Sequence, residues 1–169
     1  MDAWSAAVIV VSDRILAAQR EDRVSPVALD VLRRWGAADV QHCCVAEDEA
    51  ALRAAIDRLY DSRLRVLVIA GGTGLNPGNC TPEVSLEYVR QRLFGLETQV
   101  LLQGLAHTQK AGLSRGVIGL GIVGGSPCLI VNTPSSPGGI KDVLGVIETV
   151  WGSIEEALEA HFLQLRQYG

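Results

Sequence analysis

A chain of 169 residues suits one domain built around one core. Hydrophobic residues make up 48% and charged residues 20%, and the net charge of -4 comes with no basic stripe, which argues against nonspecific nucleic-acid binding. No stretch reaches the length of a transmembrane helix, and Met1-Asp2-Ala3-Trp4 lacks the basic start of a signal peptide; a cytoplasmic protein that spans no membrane is expected.

Residues 6–11 are apolar and read as a first strand, closed by Ser12-Asp13-Arg14. Ser25 then reads as the N-cap of a helix with Pro26 at its first position, Val27, Val31, Leu32 and Trp35 on its apolar face, and Gly36 as its stop. A second strand is expected over 40–45. Asp48 opens a second helix, whose inner face is Leu52, Ile56, Leu59 and Tyr60. Residues 66–70 form a third strand. Helical signal resumes from Pro82 to about Phe94 and from Glu97 to about Lys110. Residues 117–123 and 129–131 read as two further strands, separated by a turn at Gly124-Gly125-Ser126-Pro127. One last helix starts near Gly138 and carries an apolar stripe from Ile140 to Leu158. Strands alternating with helices predict an α/β fold with a mostly parallel sheet, as a single domain over 1–169.

In such a sheet, ligands bind beyond the carboxyl ends of the strands. Three loops fall there: residues 12–14, 71–80 and 133–139. The second begins Gly71-Gly72-Thr73-Gly74 and leads into Thr81-Pro82-Glu83, a helix start with Thr81 as its expected N-cap. Glycine permits a left-handed backbone and close approach to a ligand, and a helix start offers unpaired N–H groups to an anion. The loop matches neither GxxxxGK[ST] nor GxGxxG. The third loop, Thr133-Pro134-Ser135-Ser136-Pro137-Gly138-Gly139, adds hydroxyls at another helix start. Carboxylates suited to Mg²⁺ are Asp13, Asp22, Glu47, Asp48 and Glu83, with Asp48 equally suited to capping its helix. His42, His107 and His161 form no triad spacing with a serine. Cys43, Cys44, Cys80 and Cys128 have no zinc or CxxC spacing and read as small buried thiols of a reducing compartment.

Four segments occur in the order seen in the molybdopterin adenylyltransferases of MoaB/Mog type, which include the G domain of gephyrin. They are Val10-Val11-Ser12-Asp13-Arg14, Gly71-Gly72-Thr73-Gly74-Leu75 with Thr81-Pro82-Glu83, Leu113-Ser114-Arg115-Gly116, and Pro134-Ser135-Ser136-Pro137. The chain resembles that family over nearly its whole length. The resemblance implies a three-layer sandwich around a mostly parallel sheet, assembled as a homotrimer. It implies Mg²⁺ and ATP-dependent adenylylation of the terminal phosphate of molybdopterin, giving AMP-molybdopterin and pyrophosphate, with other molybdenum-cofactor biosynthesis proteins as partners. Carried onto this chain, Asp13, Glu47 and Asn79 fall at catalytic positions, with Asp13 and Glu47 at the metal. Ser12, Gly71, Gly72, Thr73, Gly74, Thr81, Ser114, Ser135, Ser136 and Gly138 fall at ligand-binding positions.

Three departures cluster there. Asn79 stands where the family often has an aspartate, Ala46-Glu47 where it has Pro-Asp, and Ser135 where it has the glycine of PGSP. They open a second expectation, a catalytically impaired member that binds or carries molybdopterin or the molybdenum cofactor or pairs with an active relative. A third is an oligomeric scaffold.

Overall fold

The computed structural model describes residues 3–168. The polar N–H and C=O groups of four apolar runs are satisfied by pairing side by side in one six-stranded sheet. Its strands are β1 (Ser5–Val11), β2 (Asp39–Val45), β3 (Leu64–Ala70), β4 (Val89–Arg92), β5 (Ile118–Val123) and β6 (Ser126–Thr133), in the order β2-β1-β3-β6-β5-β4. The first four in that order are parallel; β5 runs antiparallel to β6, and β4 antiparallel to β5.

Side chains alternate across the sheet and divide the core in two. Ala6, Val8, Val10, Val66, Val68, Leu129 and Val131 meet α2 (Ser25–Arg34), α6 (Pro137–Glu148) and α7 (Trp151–Tyr168) on one face. Ala7, Ile9, Leu67, Ile69, Cys128 and Ile130 meet α3 (Glu49–Asp57) and α4 (Thr81–Tyr88) on the other. The result is the expected three-layer α/β sandwich. Among the described residues no helix is long and apolar enough to cross a membrane.

Several elements differ from the sequence expectation. The helical run after Pro82 is broken: α4 ends at Tyr88, and Val89 to Arg92 peels off as β4, a bulged edge strand on β5. α5 (Phe94–Leu105) therefore starts earlier than expected, and a short 3₁₀ turn (Gln109–Leu113) follows it. Ser126 and Pro127 lie in β6 and leave Gly124-Gly125 as the hairpin turn. α3 stops at Asp57, and Tyr60 lies beyond it, 88% exposed. The apolar stripe after Gly138 belongs to two helices, α6 and α7, separated at Thr149-Val150. At that junction Trp151 stacks on Trp35 at 4.8 Å and lies 5.4 Å from Trp4.

The start of α2 is organised by Asp22. Its carboxylate accepts from the Val24 and Ser25 N–H groups at 3.0 and 2.9 Å and from the Ser25 hydroxyl at 2.5 Å. Ser25 is thus the first helical residue and donates to a capping group upstream. Burial pushes the Asp22 pKa up, but the hydrogen bonds from Ser25 and Val24 outweigh it and hold the carboxyl below its ordinary value. A group with a depressed folded pKa stabilises above its unfolded pKa and loses that contribution as pH falls through the folded one. Asp22→Asn keeps an acceptor and removes the titration. Its denaturant midpoint is expected to fall less than that of the wild type on acidification below about pH 4, measured by urea unfolding across pH.

Candidate active site

The chain reverses its direction of travel across the sheet between β1 and β3, and the loops at the carboxyl ends of β1, β2, β3 and β6 gather above that point. The Gly71 N–H donates to the Thr133 carbonyl at 2.9 Å, tying the glycine loop to the end of β6. The Gly71 carbonyl accepts the Thr81 hydroxyl at 2.7 Å, and the Thr81 N–H donates to the Gly72 carbonyl at 3.1 Å. Both glycines have positive φ, +97° and +67°. A Cβ on Gly71 would strike the Val11 carbonyl, and one on Gly72 the Thr81 hydroxyl. The glycines thus answer to close approach of the protein's own backbone. Thr81, expected as the N-cap of α4, lies inside the helix and turns its fully buried hydroxyl to the loop instead.

Arg115, the third residue of the Leu113-Ser114-Arg115-Gly116 motif, fixes the rest of this loop. Its N–H donates to the Thr73 carbonyl, and its guanidinium donates to the carbonyls of Gly74 and Asn79, each at 2.9 Å. It also pairs with Glu83, whose carboxyl that hydrogen bond holds below its ordinary range. This residue was absent from the sequence-derived site. An arginine beside two small residues in a motif was its only signal.

The acidic residues separate into two groups. Asp13 begins the short α1 (Asp13–Leu16), and its Oδ1 accepts the Glu47 N–H at 3.0 Å, which joins the loops after β1 and β2. A Cβ on Gly78 would lie 3.5 Å from Glu47 Oε2, so Glu47 faces the far end of the glycine loop, next to Asn79. The other candidate metal carboxylates are engaged elsewhere. Asp48 caps α3 through the Ala51 N–H at 2.8 Å, Asp22 holds α2, and Glu83 holds Arg115. Among the described residues no group of three His, Cys, Asp or Glu side chains could hold a metal ion by itself. Two carboxylates beside a glycine-rich loop nevertheless suit Mg²⁺, which takes one or two carboxylates and completes its shell with water and substrate phosphates.

The serines fall at helix starts. Ser12 Oγ accepts the Ile15 N–H at 3.2 Å and Ser136 Oγ the Gly139 N–H at 3.1 Å. A capping hydroxyl spends a lone pair and retains its own proton, so each can still donate to a phosphate. Ser135 is half-buried, and its carbonyl accepts the Arg20 guanidinium at 3.0 Å. A Cβ on Gly71 would lie 3.5 Å from the Ser135 Cβ, which shows the two loops to be adjacent. Gly138 has open space around it.

Ser114 lies on a cavity of about 380 Å³ that begins beside this loop cluster, with Arg115, Asn132, Pro134 and Gly139 on one wall and Phe94 and Leu101 of α5 on the other. Its size is that of a small-molecule site. The structure therefore brings Asp13, Glu47, Asn79 and the loops at 71–74 and 135–138 to one edge of the sheet. The histidines stand on β2, after α5 and on α7. Cys80 is buried near the site, and burial together with Glu49, Asp48 and Glu83 pushes its thiol up, away from the nucleophilic thiolate.

This fold and site define a class. The family model described as "Probable molybdopterin binding domain" matches residues 7–150. The chain belongs to this molybdenum-cofactor-biosynthesis family and is of MoaB/Mog type. It is 34% identical over 110 residues to a molybdenum cofactor biosynthesis bifunctional protein of Synechococcus elongatus, covering 65% of this chain and 34% of that protein. The Mog protein of Mycobacterium ulcerans matches in structure with a TM-score of 0.80 and 30% identity, over 94% of this chain and 99% of that one. The tungsten cofactor synthesizing protein MoaB of Pyrococcus furiosus shares the fold, with a TM-score of 0.82 at 22% identity over 94% and 98% of the two chains. The chain spans less than half the length of the curated relatives that it matches.

Two outcomes test this geometry. Thr81→Val is isosteric and leaves the Gly71 carbonyl without its partner; a loss of about 1–3 kcal/mol is expected in chemical denaturation. Arg115→Met removes the guanidinium from the carbonyls of Gly74 and Asn79. Amide exchange over residues 73–80 is expected to accelerate while the β1 and β3 cores keep their protection.

Proposed function

We propose that the chain is a molybdopterin adenylyltransferase, which uses Mg-ATP to adenylylate molybdopterin in molybdenum-cofactor biosynthesis. A terminal phosphate oxygen of molybdopterin attacks the α-phosphorus of ATP. A new P–O bond forms, the bond from the α-phosphorus to the bridging oxygen breaks, and pyrophosphate leaves. The single observation that carries the reading is the convergence, at one edge of the sheet, of the glycine loop and the serine loop with the loops that carry Asp13 and Glu47.

In this reading the backbone at 71–74 and the N-terminus of α6, with the Ser12, Ser135 and Ser136 hydroxyls, hold phosphate oxygens. Ser114 reaches the ligand from the cavity side, and Thr81 keeps Gly71-Gly72 in shape without touching it. Asp13 and Glu47 would hold Mg²⁺, which would offset the charge on the phosphates and the leaving pyrophosphate. The protein's share is positioning and charge neutralisation. A cytoplasmic homotrimer accompanies this proposal. It is supported by the apolar residues that α5 leaves in the open, among them Phe94 and Leu102, each 62% exposed. Other proteins of the same biosynthesis would receive its product.

A second reading is favoured by one residue. Asn79, whose amide oxygen lies against Gly74, brings a neutral group where the family resemblance implies a carboxylate. A chain so altered would bind or carry molybdopterin or the mature cofactor, or serve as an oligomeric partner, without turnover.

Incubation with molybdopterin, ATP and Mg²⁺, with AMP-molybdopterin quantified, separates the two. The adenylyltransferase is expected to form product above a no-enzyme control, and Asp13→Asn to lower turnover by at least about tenfold. Bound molybdopterin without product would establish the carrier, and unchanged turnover in Asp13→Asn would remove that carboxylate from the mechanism.

A further inference from the structure

The cavity beside the glycine loop has four charged side chains on its walls: Arg92, Glu97, Arg115 and Asp142. Three are spoken for. Arg92 pairs with Glu97 at 2.8 Å and lies over the Phe94 ring at 4.7 Å. Glu97 also accepts the Ile118 N–H at 3.0 Å. Arg115 is committed to the carbonyls of the glycine loop and to Glu83. Asp142, half-buried on α6, makes no side-chain hydrogen bond or ion pair among the described residues. The neutral polar groups around it are largely occupied too. The Thr98 hydroxyl donates to the Phe94 carbonyl at 2.8 Å. The Asn132 amide donates to Ser85 at 2.8 Å and accepts from the Val117 N–H at 3.1 Å.

A carboxylate on a cavity wall that no donor of the protein reaches is open to a ligand that brings one. Ionised carboxylates are acceptors only, and their two oxygens match a pair of parallel N–H groups. A 2-amino-4-oxopteridine presents such a pair at its pyrimidine edge, the ring N3–H and the 2-amino group. Adenine presents one amino donor beside the N1 lone pair, which a carboxylate repels. The remaining walls, with Phe94, Val100, Leu101, Ile118 and Val143, offer apolar surface to flat rings. Asp142 lies one turn along α6 from Gly139, whose loop faces the phosphate-type cluster. A ligand with its phosphate at that loop would extend its rings toward Asp142.

We infer that Asp142 is the specificity residue that recognises the pyrimidine edge of a pterin, so that the cavity takes the pterin end of the substrate pair and not the adenine. The assignment rests on the reading of the chain as a molybdopterin-binding protein and adds to it the group that selects the ring.

The test is a fluorescence titration of the full chain with neopterin phosphate and with its lumazine counterpart, in which oxygen replaces the 2-amino group. Wild type is expected to prefer the pterin by about ten- to a hundredfold, the range of a charge-assisted hydrogen bond. Asp142→Asn puts an amide donor against the donors of the ring; it is expected to lose that preference while keeping its ATP affinity and melting temperature. Asp142→Glu should keep part of it. Equal binding of the two probes by wild type, an undiminished preference in Asp142→Asn, or a defect confined to ATP would each overturn the assignment. Molybdopterin binding is measured on the same samples. If wild type binds molybdopterin but neither probe, Asp142 is not the reader of the ring. If it binds no molybdopterin, the underlying functional reading falls and the assignment falls with it.

Discussion

The close approach of the Gly71-Gly72 backbone to Val11 and Thr81 is the constraint on which the site depends. β3 ends directly beside β1, and the chain must turn at once over the end of its neighbour. A side chain at either glycine would collide with the carbonyl of Val11 or the hydroxyl of Thr81. With none there, the Thr81 hydroxyl closes on the Gly71 carbonyl and the Gly71 N–H on Thr133. One buried contact set therefore joins β1, β3, β6 and the start of α4. The loops that β1, β3 and β6 carry inherit their positions from it. Arg115 extends the same arrangement outward to Asn79.

The proposed reaction asks an acidic protein to hold phosphorylated ligands. The chain carries a net charge of -4, and its neighbouring carboxylates would repel a phosphate unless a cation intervened. Asp13 accepts the Glu47 N–H, which brings the loops that carry the two acidic residues together. In the proposed reaction, anion binding at neutral backbone N–H groups and hydroxyls, with the carboxylates left to a metal ion, would resolve the conflict. The guanidinium nearest the glycine loop, that of Arg115, is occupied in holding carbonyls and not in meeting the ligand. The cavity beyond leads away from the sheet edge and along α6.

Much of the fold could be read from the sequence, because buried parallel strands are continuous apolar runs. β1 and β3 are of this kind, and Asp48 as the opener of α3 followed from its side-chain chemistry. β4 could not be read. It has four residues, three of them polar, and exists only because β5 offers an edge to pair with. The break between α6 and α7 is hidden for a related reason: the apolar spacing continues across it, and three tryptophans distant in sequence pack at the junction. The glycine loop was evident as a motif, but the reason for its glycines was not. The collisions involve Val11 and Thr81, which only the folded chain brings to it. Arg115 and Asp142 escaped for opposite reasons. One is defined by partners far along the chain, the other by having none among the described residues.

The account turns on the claim that the sheet edge above β1 and β3 receives the phosphates. Amide chemical-shift mapping with Mg-ATP and with molybdopterin tests it most directly. The largest changes are predicted at residues 12–14, 47, 71–79 and 135–139, with molybdopterin extending them to 142. Changes centred elsewhere, on the Trp35–Trp151 junction or the outer face of α7, would contradict it.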